Sequence, residues 1–194
     1  MTDEALMQAV RDGDVSKLGT LFERHHVALF DFLSRTMGDR AAAEDLVQDV
    51  FVRILRYRAT YRDDGRFETW MFQIARNARA DYARRRRPDQ FGDEMPEPVS
   101  PERGQTSRLE LNEDLRRLRC ALMQLPIEKR ELIVLARYRG MKAGQIASIL
   151  RIEIGTVRVR LHRALNELRQ VMHAPADEEH ICDVKRYGSG SRTA

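Results

Sequence analysis

The apolar residues between positions 142 and 170 recur at helical spacing in two separate runs. The first run contains Ile146, Ala147, Ile149 and Leu150, and the second contains Val157, Leu161, Ala164, Leu165 and Leu168. Residues 151–153 interrupt the pattern, so we predict a short helix, a tight turn and a longer helix. This arrangement is typical of a helix-turn-helix, whose second helix normally lies in the major groove of DNA.

Basic side chains occupy the polar positions of that second helix. They are Arg158, Arg160, Arg163 and Arg169, with His162 beside them. An arginine fork can bind a guanine edge or clamp a phosphate. Thr156 lies in the first turn, where free backbone N–H groups attract phosphate. The alternative is a solvated basic helix packed on a core, and DNA binding is the interpretation that we favour.

The same spacing predicts further helices in the first half of the chain. Thr2 can cap a helix over residues 3–11, and Asp14 can cap a second helix that carries apolar residues from Leu18 to Leu33. Gly38 and Asp39 break the chain before a third helix over residues 41–56. Residues 58–66 read as a loop, with Asp63, Asp64 and Gly65 as turn formers.

The predicted third helix has a broad apolar stripe and an acidic opposite face. The stripe contains Leu46, Val47, Val50, Phe51, Ile54 and Leu55. Asp45, Gln48 and Asp49 lie on the other side, together with Val52, Arg53 and Arg56. The helix can therefore pack on one face and offer carboxylates to a basic partner, although simple solvation is the better explanation of the polar face taken alone.

A fourth helix, from Phe67 to about residue 87, combines dense positive charge with aromatic residues. It ends in consecutive arginines at 84–87, and such a cluster neutralises phosphates. The interleaved aromatics are Tyr61, Phe67, Trp70 and Tyr82. Aromatic rings can stack on unpaired bases at about 1–3 kcal/mol each. The segment suits single-stranded or distorted DNA. The alternative places Phe67 and Trp70 in the core, and for Trp70 we favour that alternative.

Residues 88–112 divide the chain into two helical domains. They contain Pro88, Pro96, Pro98 and Pro101 among acidic residues, and helical spacing resumes only near Leu109. We predict an acidic flexible linker between domains at 1–87 and 113–173. The second domain includes a helix over residues 127–138, opened by Pro126 and ended by Gly140. The tail, 174–194, is predicted to be disordered.

Composition narrows the functional classes. The 194-residue chain is 42% hydrophobic and 33% charged. Its net charge of +4 is less informative than the separation of its charged residues into basic and acidic stretches. Cys120 and Cys182 form no C-x-x-C pair, and no apolar run could span a bilayer, so we expect a cytoplasmic protein. No nucleophile–base pair, phosphate-binding glycine loop or metal cluster is evident, so we expect no enzymatic activity, metal or cofactor.

Two blocks carry a family resemblance. DLVQDVFVRILR (45–56) and FETWMFQIARNARADYARRRR (67–87) together resemble the second conserved region of sigma-70 family sigma factors. LPIEKRELIVLARYRGMKAGQIASILRIEIGTVRVRLHRALNELR (125–169) resembles their fourth region. Both blocks in this order, without a third region, are similar to the extracytoplasmic-function (ECF) class. The resemblance implies an all-α protein, a dissociable promoter-specificity subunit of RNA polymerase.

The resemblance also implies binding residues. A coiled coil of the largest core-polymerase subunit is expected to contact Asp45, Leu46, Gln48, Asp49 and Phe51. The −10 element is expected at Tyr61, Arg66, Phe67, Arg76, Asn77, Arg79, Asp81, Tyr82 and Arg84, with a flipped base held by the loop 61–67. The −35 element is expected at Thr156, Arg158, Val159, Arg160, His162 and Arg163. The linker would follow the RNA-exit path, and an anti-sigma factor is an expected partner.

The chain departs from the family pattern in its helix-turn-helix. Arg151 stands where the turn usually carries glycine, and if that position has positive φ, arginine costs on the order of 1 kcal/mol. Glu153 replaces a capping serine, and Val159 replaces a serine of the recognition helix. The fold prediction is unaffected, whereas the −35 sequence that is read cannot be predicted.

Two other functions compete with transcription initiation. A stand-alone helix-turn-helix regulator would explain residues 142–170 but gives no role to the arginine-rich fourth helix or the acidic third helix. A small helical adaptor would use its charges only for solubility, and salt-sensitive DNA binding would count against it. Binding to core polymerase separates both from the leading interpretation.

Overall fold

The computed structural model describes residues 1–62, 65–86 and 106–173, with side chains from residue 113 onward in the last range. The described residues form helices and connecting turns without a strand, which confirms the all-α prediction. The helices are α1 (Asp3–Arg11), α2 (Lys17–Met37), α3 (Arg40–Tyr57), α4 (Phe67–Arg85), α5 (Thr106–Gln124), α6 (Ile127–Ile133), α7 (Ala143–Leu150) and α8 (Ile154–His173). A 3₁₀ turn (Arg58–Thr60) follows α3, and a π-helical turn (Val134–Tyr138) follows α6.

Local capping explains where the first helices begin. The Thr2 hydroxyl accepts a hydrogen bond from the Ala5 N–H at 3.2 Å, as predicted, and the Asp39 carboxylate accepts one from Ala42 at 2.9 Å. The prediction for Asp14 was wrong, because α2 begins at Lys17 with Ser16 at its N-cap. The Asp14 carboxylate is instead engaged by the Ser16 hydroxyl and the Lys17 ammonium.

Helices α1 to α4 form the first unit. Helix α2 packs against α1 and α3, and α3 packs against α4. The predicted stripe of α3 is inside, since Leu46, Val50 and Ile54 are all buried. The rings of Phe32 and Phe72 meet edge to face with centroids 5.1 Å apart, a favourable aromatic geometry.

Helices α5 to α8 form the second unit. Helix α8 packs against α5, α6 and α7. The wider turn after α6 is closed by a hydrogen bond from Arg139 N–H to the Val134 carbonyl at 3.0 Å. Gly140, at φ 62°, then ends the segment, as its position predicted. Helices α7 and α8 with the turn between them make the predicted helix-turn-helix.

The two units pack against each other. Helix α4 contacts α7, and α2 contacts both α5 and α6, so that one hydrophobic core continues through both units. Helix α5 begins at Thr106, so residues 106–112 of the predicted linker are helical. Asp63, Asp64, the rest of that linker and the tail 174–194 lie outside the described residues. No described helix is both long and apolar enough to cross a bilayer.

Candidate polymerase and DNA interfaces

Helix α3 presents the predicted acidic face. Asp45 and Gln48 are exposed, and Asp49 is half-buried. Leu46 and Phe51, from the same predicted set, are only 4% and 6% exposed and belong to the core. A direct contact between these two and a partner is therefore unavailable in this conformation, because the helical period turns them inward.

One apolar residue of this face was absent from the predicted set. Val52 is 56% exposed and follows Gln48 by one helical turn, so it extends the same surface. Its position four residues after Gln48 was the indication in the sequence that it belongs to this face. A partner helix that engages Asp45 and Gln48 would also cover this isolated valine.

Arg53 connects α3 to α4 through carboxylates on both helices. Its Nε donates to Asp49 Oδ2 at 2.9 Å, and its Nη1 donates to Asp81 Oδ2 at 2.6 Å. Burial acts to lower the pKa of Arg53, but hydrogen bonds and charges from Asp81 and Asp49 outweigh it and raise that pKa. The role of Arg53 was not predicted, although its position one turn after Asp49 was a visible signal.

Asp81 stands between two arginines. Arg84 also donates to its carboxylate, from the exposed side. The hydrogen bond from Arg53 is the main cause that lowers the pKa of Asp81, and Arg84 lowers it further. Asp81 therefore remains ionised and fixes Arg84 at the edge of α4.

A cavity opens between α3 and α4, on the face predicted for the −10 element. Its volume is about 320 Å³. It is lined by Arg53, Tyr57, Ile74, Asn77, Ala80, Asp81 and Arg84. The exposed Asn77 amide offers both donors and an acceptor, and Tyr57, which the sequence did not single out, is 46% exposed.

The loop before α4 does not expose the aromatic rings that were expected to hold a flipped base. Tyr61 and Phe67 are 3% and 0% exposed, so neither ring is available for stacking on a base in this conformation. Tyr61 packs edge to face on Trp70 at 5.2 Å between centroids, and its hydroxyl donates to the Gly65 carbonyl at 3.0 Å. Trp70 packs against the core, as favoured above. Arg66 remains exposed.

Arg76 and Arg79, both predicted to contact the −10 element, point at the second unit. Arg76 Nε donates to Glu131 Oε2 at 3.1 Å, and Arg79 Nη2 donates to Glu131 Oε1 at 2.7 Å. Glu131 is only 1% exposed. The sequence analysis did not identify Glu131. The available indication was the position of this carboxylate directly beside the apolar run 132–135. Tyr82 is half-buried, with the Arg86 guanidinium over its ring at 5.4 Å.

Helix α8 exposes almost the whole predicted −35 set. Arg158, Val159, Arg160, His162 and Arg163 are exposed, and Thr156 is half-buried at the helix start. The opposite face, with Val157, Ala164 and Leu168, is buried against the second unit. The recognition helix is therefore held by its apolar face while its basic face remains accessible.

The comparisons with known proteins identify the family of the chain. Residues 21–88 match the family model of Sigma-70 region 2, and residues 115–168 match that of Sigma-70, region 4. RNA polymerase sigma factor CarQ of Myxococcus xanthus is 32% identical over 167 residues, covering 86% of this chain and 95% of CarQ. ECF RNA polymerase sigma factor SigL of Mycobacterium tuberculosis is 35% identical, covering 80% of this chain and 89% of SigL. The chain belongs to the sigma-70 family, in its ECF class.

Solved structures extend the similarity of this ECF sigma factor to its fold. CnrH, solved with the cytosolic domain of CnrY, superposes with a TM-score of 0.66 at 27% identity, covering 90% of this chain and 99% of CnrH. RpoE of Bartonella quintana, solved with the anti-sigma factor NepR, gives a TM-score of 0.66 at 26% identity, covering 80% of this chain and 96% of RpoE. The fold and the order of regions in this sigma factor are thus those of its family.

Proposed function

We propose that this ECF sigma factor binds core RNA polymerase through α3, the −10 element through α4 and the −35 element through α8, and so initiates transcription at specific promoters. The observation that carries the proposal is the exposed basic face of α8, within a helix-turn-helix that shares its chain with a second arginine-rich helix, α4. A stand-alone regulator has no use for that second helix. The factor performs no catalysis itself and acts in the cytoplasm, where promoter and polymerase meet.

The −35 element is read from the first turns of α8. Arg158 and Arg163 can reach base edges or phosphates, and Arg160 and His162 extend the cationic surface. Val159, 50% exposed, offers an apolar contact suited to a thymine methyl group. Thr156 lies beside the free N–H groups at the helix start, which attract a phosphate.

The −10 element is bound by the outward face of α4. Asn77 and Arg84 border the cavity between α3 and α4, and Tyr57 adds an accessible ring at its rim. A base flipped from the non-template strand needs hydrogen bonds and stacking to offset the cost of unstacking. The exposed Arg66, with Arg76 and Arg79 once they are free, supplies the charge that holds the strand.

Core polymerase docks on the acidic face of α3. Asp45, Gln48 and Asp49 supply the polar contacts, and Val52 supplies the apolar one, whereas Leu46 and Phe51 support the helix from beneath. We also propose that residues 1–87 and 113–173 act as separate binding units joined by 88–112. The family matches at 21–88 and 115–168 support this division. Since RpoE of Bartonella quintana is bound by an anti-sigma factor, we propose a partner of that class here.

Run-off transcription with purified core polymerase tests the function. On a library of candidate promoters, the chain should produce transcripts that are absent with core alone, and their start sites should reveal shared −10 and −35 sequences. Arg163→Ala should lower transcription from these promoters about tenfold, because one base-edge contact contributes 1–3 kcal/mol. Arg169→Ala, exposed at the far end of the same helix, is the matched control and should change little. Duplex binding without any chain-dependent transcript would instead support a stand-alone regulator.

A further inference from the structure

We propose that Arg151, in the turn between α7 and α8, binds a DNA phosphate at the edge of the −35 element. The contact adds a residue to the −35-binding surface of α8 and offsets the repulsion between Glu153 and the same strand. This inference rests on the proposed function of α8. It goes further, because neither Arg151 nor Glu153 belongs to the predicted −35 set.

Arg151 ends the accessible face of α7. Gly144, Ser148 and Arg151 are all exposed and follow one another at spacings of four and three residues, so they lie on one side of the helix and its end. They border an open hollow of about 400 Å³ beside the start of α8. The other side of α7, with Ile146 and Ile149, is buried in the hydrophobic core. The face that ends at Arg151 is therefore the one open to a ligand.

The turn of a helix-turn-helix lies near the DNA backbone. The first helix crosses the backbone, while the start of the second helix enters the major groove. The residue that joins the two helices is therefore at the edge of the groove, where phosphates are the main hydrogen-bond acceptors. Arg151 holds this position, and Arg158 lies on the exposed basic face of α8 that enters the groove. Arg151 thus continues that basic face towards the phosphates.

The Arg151 guanidinium is available for such a contact. It is exposed and makes no hydrogen bond or ion pair with the described residues. Arg76 and Arg79, by contrast, each donate to Glu131. A guanidinium without an internal acceptor presents its whole fork of N–H donors, which fits the oxygens of a phosphate.

The backbone of Arg151 has a conformational cost that no side-chain hydrogen bond or ion pair within the described chain offsets. Its φ of 55° and ψ of 50° lie in the left-handed region, where glycine is favoured. A residue held in such a conformation without a compensating internal contact is a candidate for a contact outside the chain. A DNA phosphate supplies that contact, because arginine binds it through charge-assisted hydrogen bonds.

Glu153 explains why a positive charge is needed at this point. The Glu153 carbonyl accepts a hydrogen bond from the Val157 N–H at 3.1 Å, so Glu153 stands at the N-cap of α8, and its side chain is exposed. Its carboxylate competes with a phosphate for the free N–H groups of the first turn and repels the DNA backbone. Arg151, two positions earlier, restores positive potential beside the start of α8.

The test measures, by fluorescence anisotropy, the affinity of core polymerase loaded with the full-length chain for a promoter mapped by run-off transcription. Arg151→Gln should lower this affinity about fivefold at about 0.1 M salt. It should also reduce the slope of log affinity against log salt by about 0.9, because one phosphate contact is lost. Both losses should recur on a promoter with one substituted −35 base pair, since a phosphate contact is independent of sequence.

Two further variants serve as controls for Arg151→Gln. Arg151→Lys keeps the positive charge and a side chain in the same backbone conformation, so it should retain the wild-type salt slope. Arg169→Gln removes an exposed arginine at the far end of α8 and should change neither the affinity nor the slope. Unchanged affinity and slope in Arg151→Gln, or a loss confined to one −35 sequence, would overturn the phosphate contact.

Glu153→Gln tests the repulsion. Removal of its charge should raise promoter affinity about threefold, within the usual range for a charge at a helix terminus. The double variant with Arg151→Gln should then lie within about twofold of wild type, because two opposite charges are removed. A lower affinity in Glu153→Gln would overturn the repulsion. Failure of wild-type chain to direct transcription with core polymerase would instead overturn the proposed function, so the two failures are distinguishable.

Discussion

Arg151 occupies a backbone conformation that favours glycine. Its φ of 55° and ψ of 50° lie in the left-handed region, and among the described residues other than glycine it alone has positive φ. The turn between α7 and α8 requires this conformation, because the chain must reverse direction within residues 151–153. The condition of positive φ is therefore met, and we expect arginine here to strain the turn before the recognition helix.

Replacing Arg151 by glycine should therefore stabilise the protein. We expect the free energy of unfolding to rise by about 1 kcal/mol, since relief of the left-handed strain exceeds the added entropy of an unfolded glycine. Urea denaturation measures the change. Arg160→Gly, at an exposed position inside α8, is the control and should lose about 1 kcal/mol, because glycine is a poor helix former. A lower free energy of unfolding for both variants would contradict the proposed strain at Arg151.

At the scale of helices, Arg53 and Asp81 join α3 to α4 and respond to pH. The pKa of Asp81 is lowered in the folded chain from an ordinary value of 3.8, mainly by the hydrogen bond from Arg53. A lowered carboxyl pKa stabilises the fold above the ordinary value, and this contribution is lost as pH falls through the lowered pKa. The ion pair between α3 and α4 is therefore strongest at neutral pH.

Asp81→Asn should be less stable than wild type at pH 7, by up to about 1 kcal/mol for a partly exposed pair. The difference should shrink below pH 4 and vanish once the wild-type carboxyl is protonated. Urea titrations at several pH values measure it. Asp114→Asn, at an exposed site on α5, is the control for loss of one surface charge. A difference that stays constant down to pH 2 would show that the hydrogen bond, and not the charge, matters.

The sequence predicts the ends and faces of a helix well when the residues that determine them lie close together in the chain. The stripe of α3 and the Thr2 cap involve residues three or four apart, and the structure has them as expected. Asp14 and Ser16 are both capping residues, so the pattern alone could not choose between them. Tyr61 and Phe67 are buried because Trp70 and His25 surround them, a tertiary cluster that helical spacing does not reveal.

The candidate site is harder to predict than the helices, because some of its contacts join residues that are distant in the chain. Exposure of Arg158 and Arg163 could be predicted, because both positions fall outside the apolar stripe of the helix. The pairing of Arg76 and Arg79 with Glu131 joins residues more than fifty positions apart, 55 and 52 respectively, across two units. No periodicity contains that information, since it depends on how α4 and α6 come together.

At the scale of the whole molecule, one hydrophobic core runs through both units and makes them depend on each other. The interface places Glu131 beside Arg76 and Arg79, and breaking such a buried pair leaves uncompensated charge. We therefore expect wild-type chain to unfold in one cooperative transition, with equal calorimetric and van't Hoff enthalpies. Glu131→Arg, which adds another cation beside Arg76 and Arg79, should separate the units and give two transitions in calorimetry.

Glu128→Arg makes the same change of charge at an exposed position on α6, and should keep the single transition. This control separates the interface from the effect of net charge. Two transitions in wild-type chain would mean that the two units already unfold independently of each other in solution. One transition in Glu131→Arg would mean that apolar packing alone couples the units, because the charge at position 131 would then contribute nothing to their association.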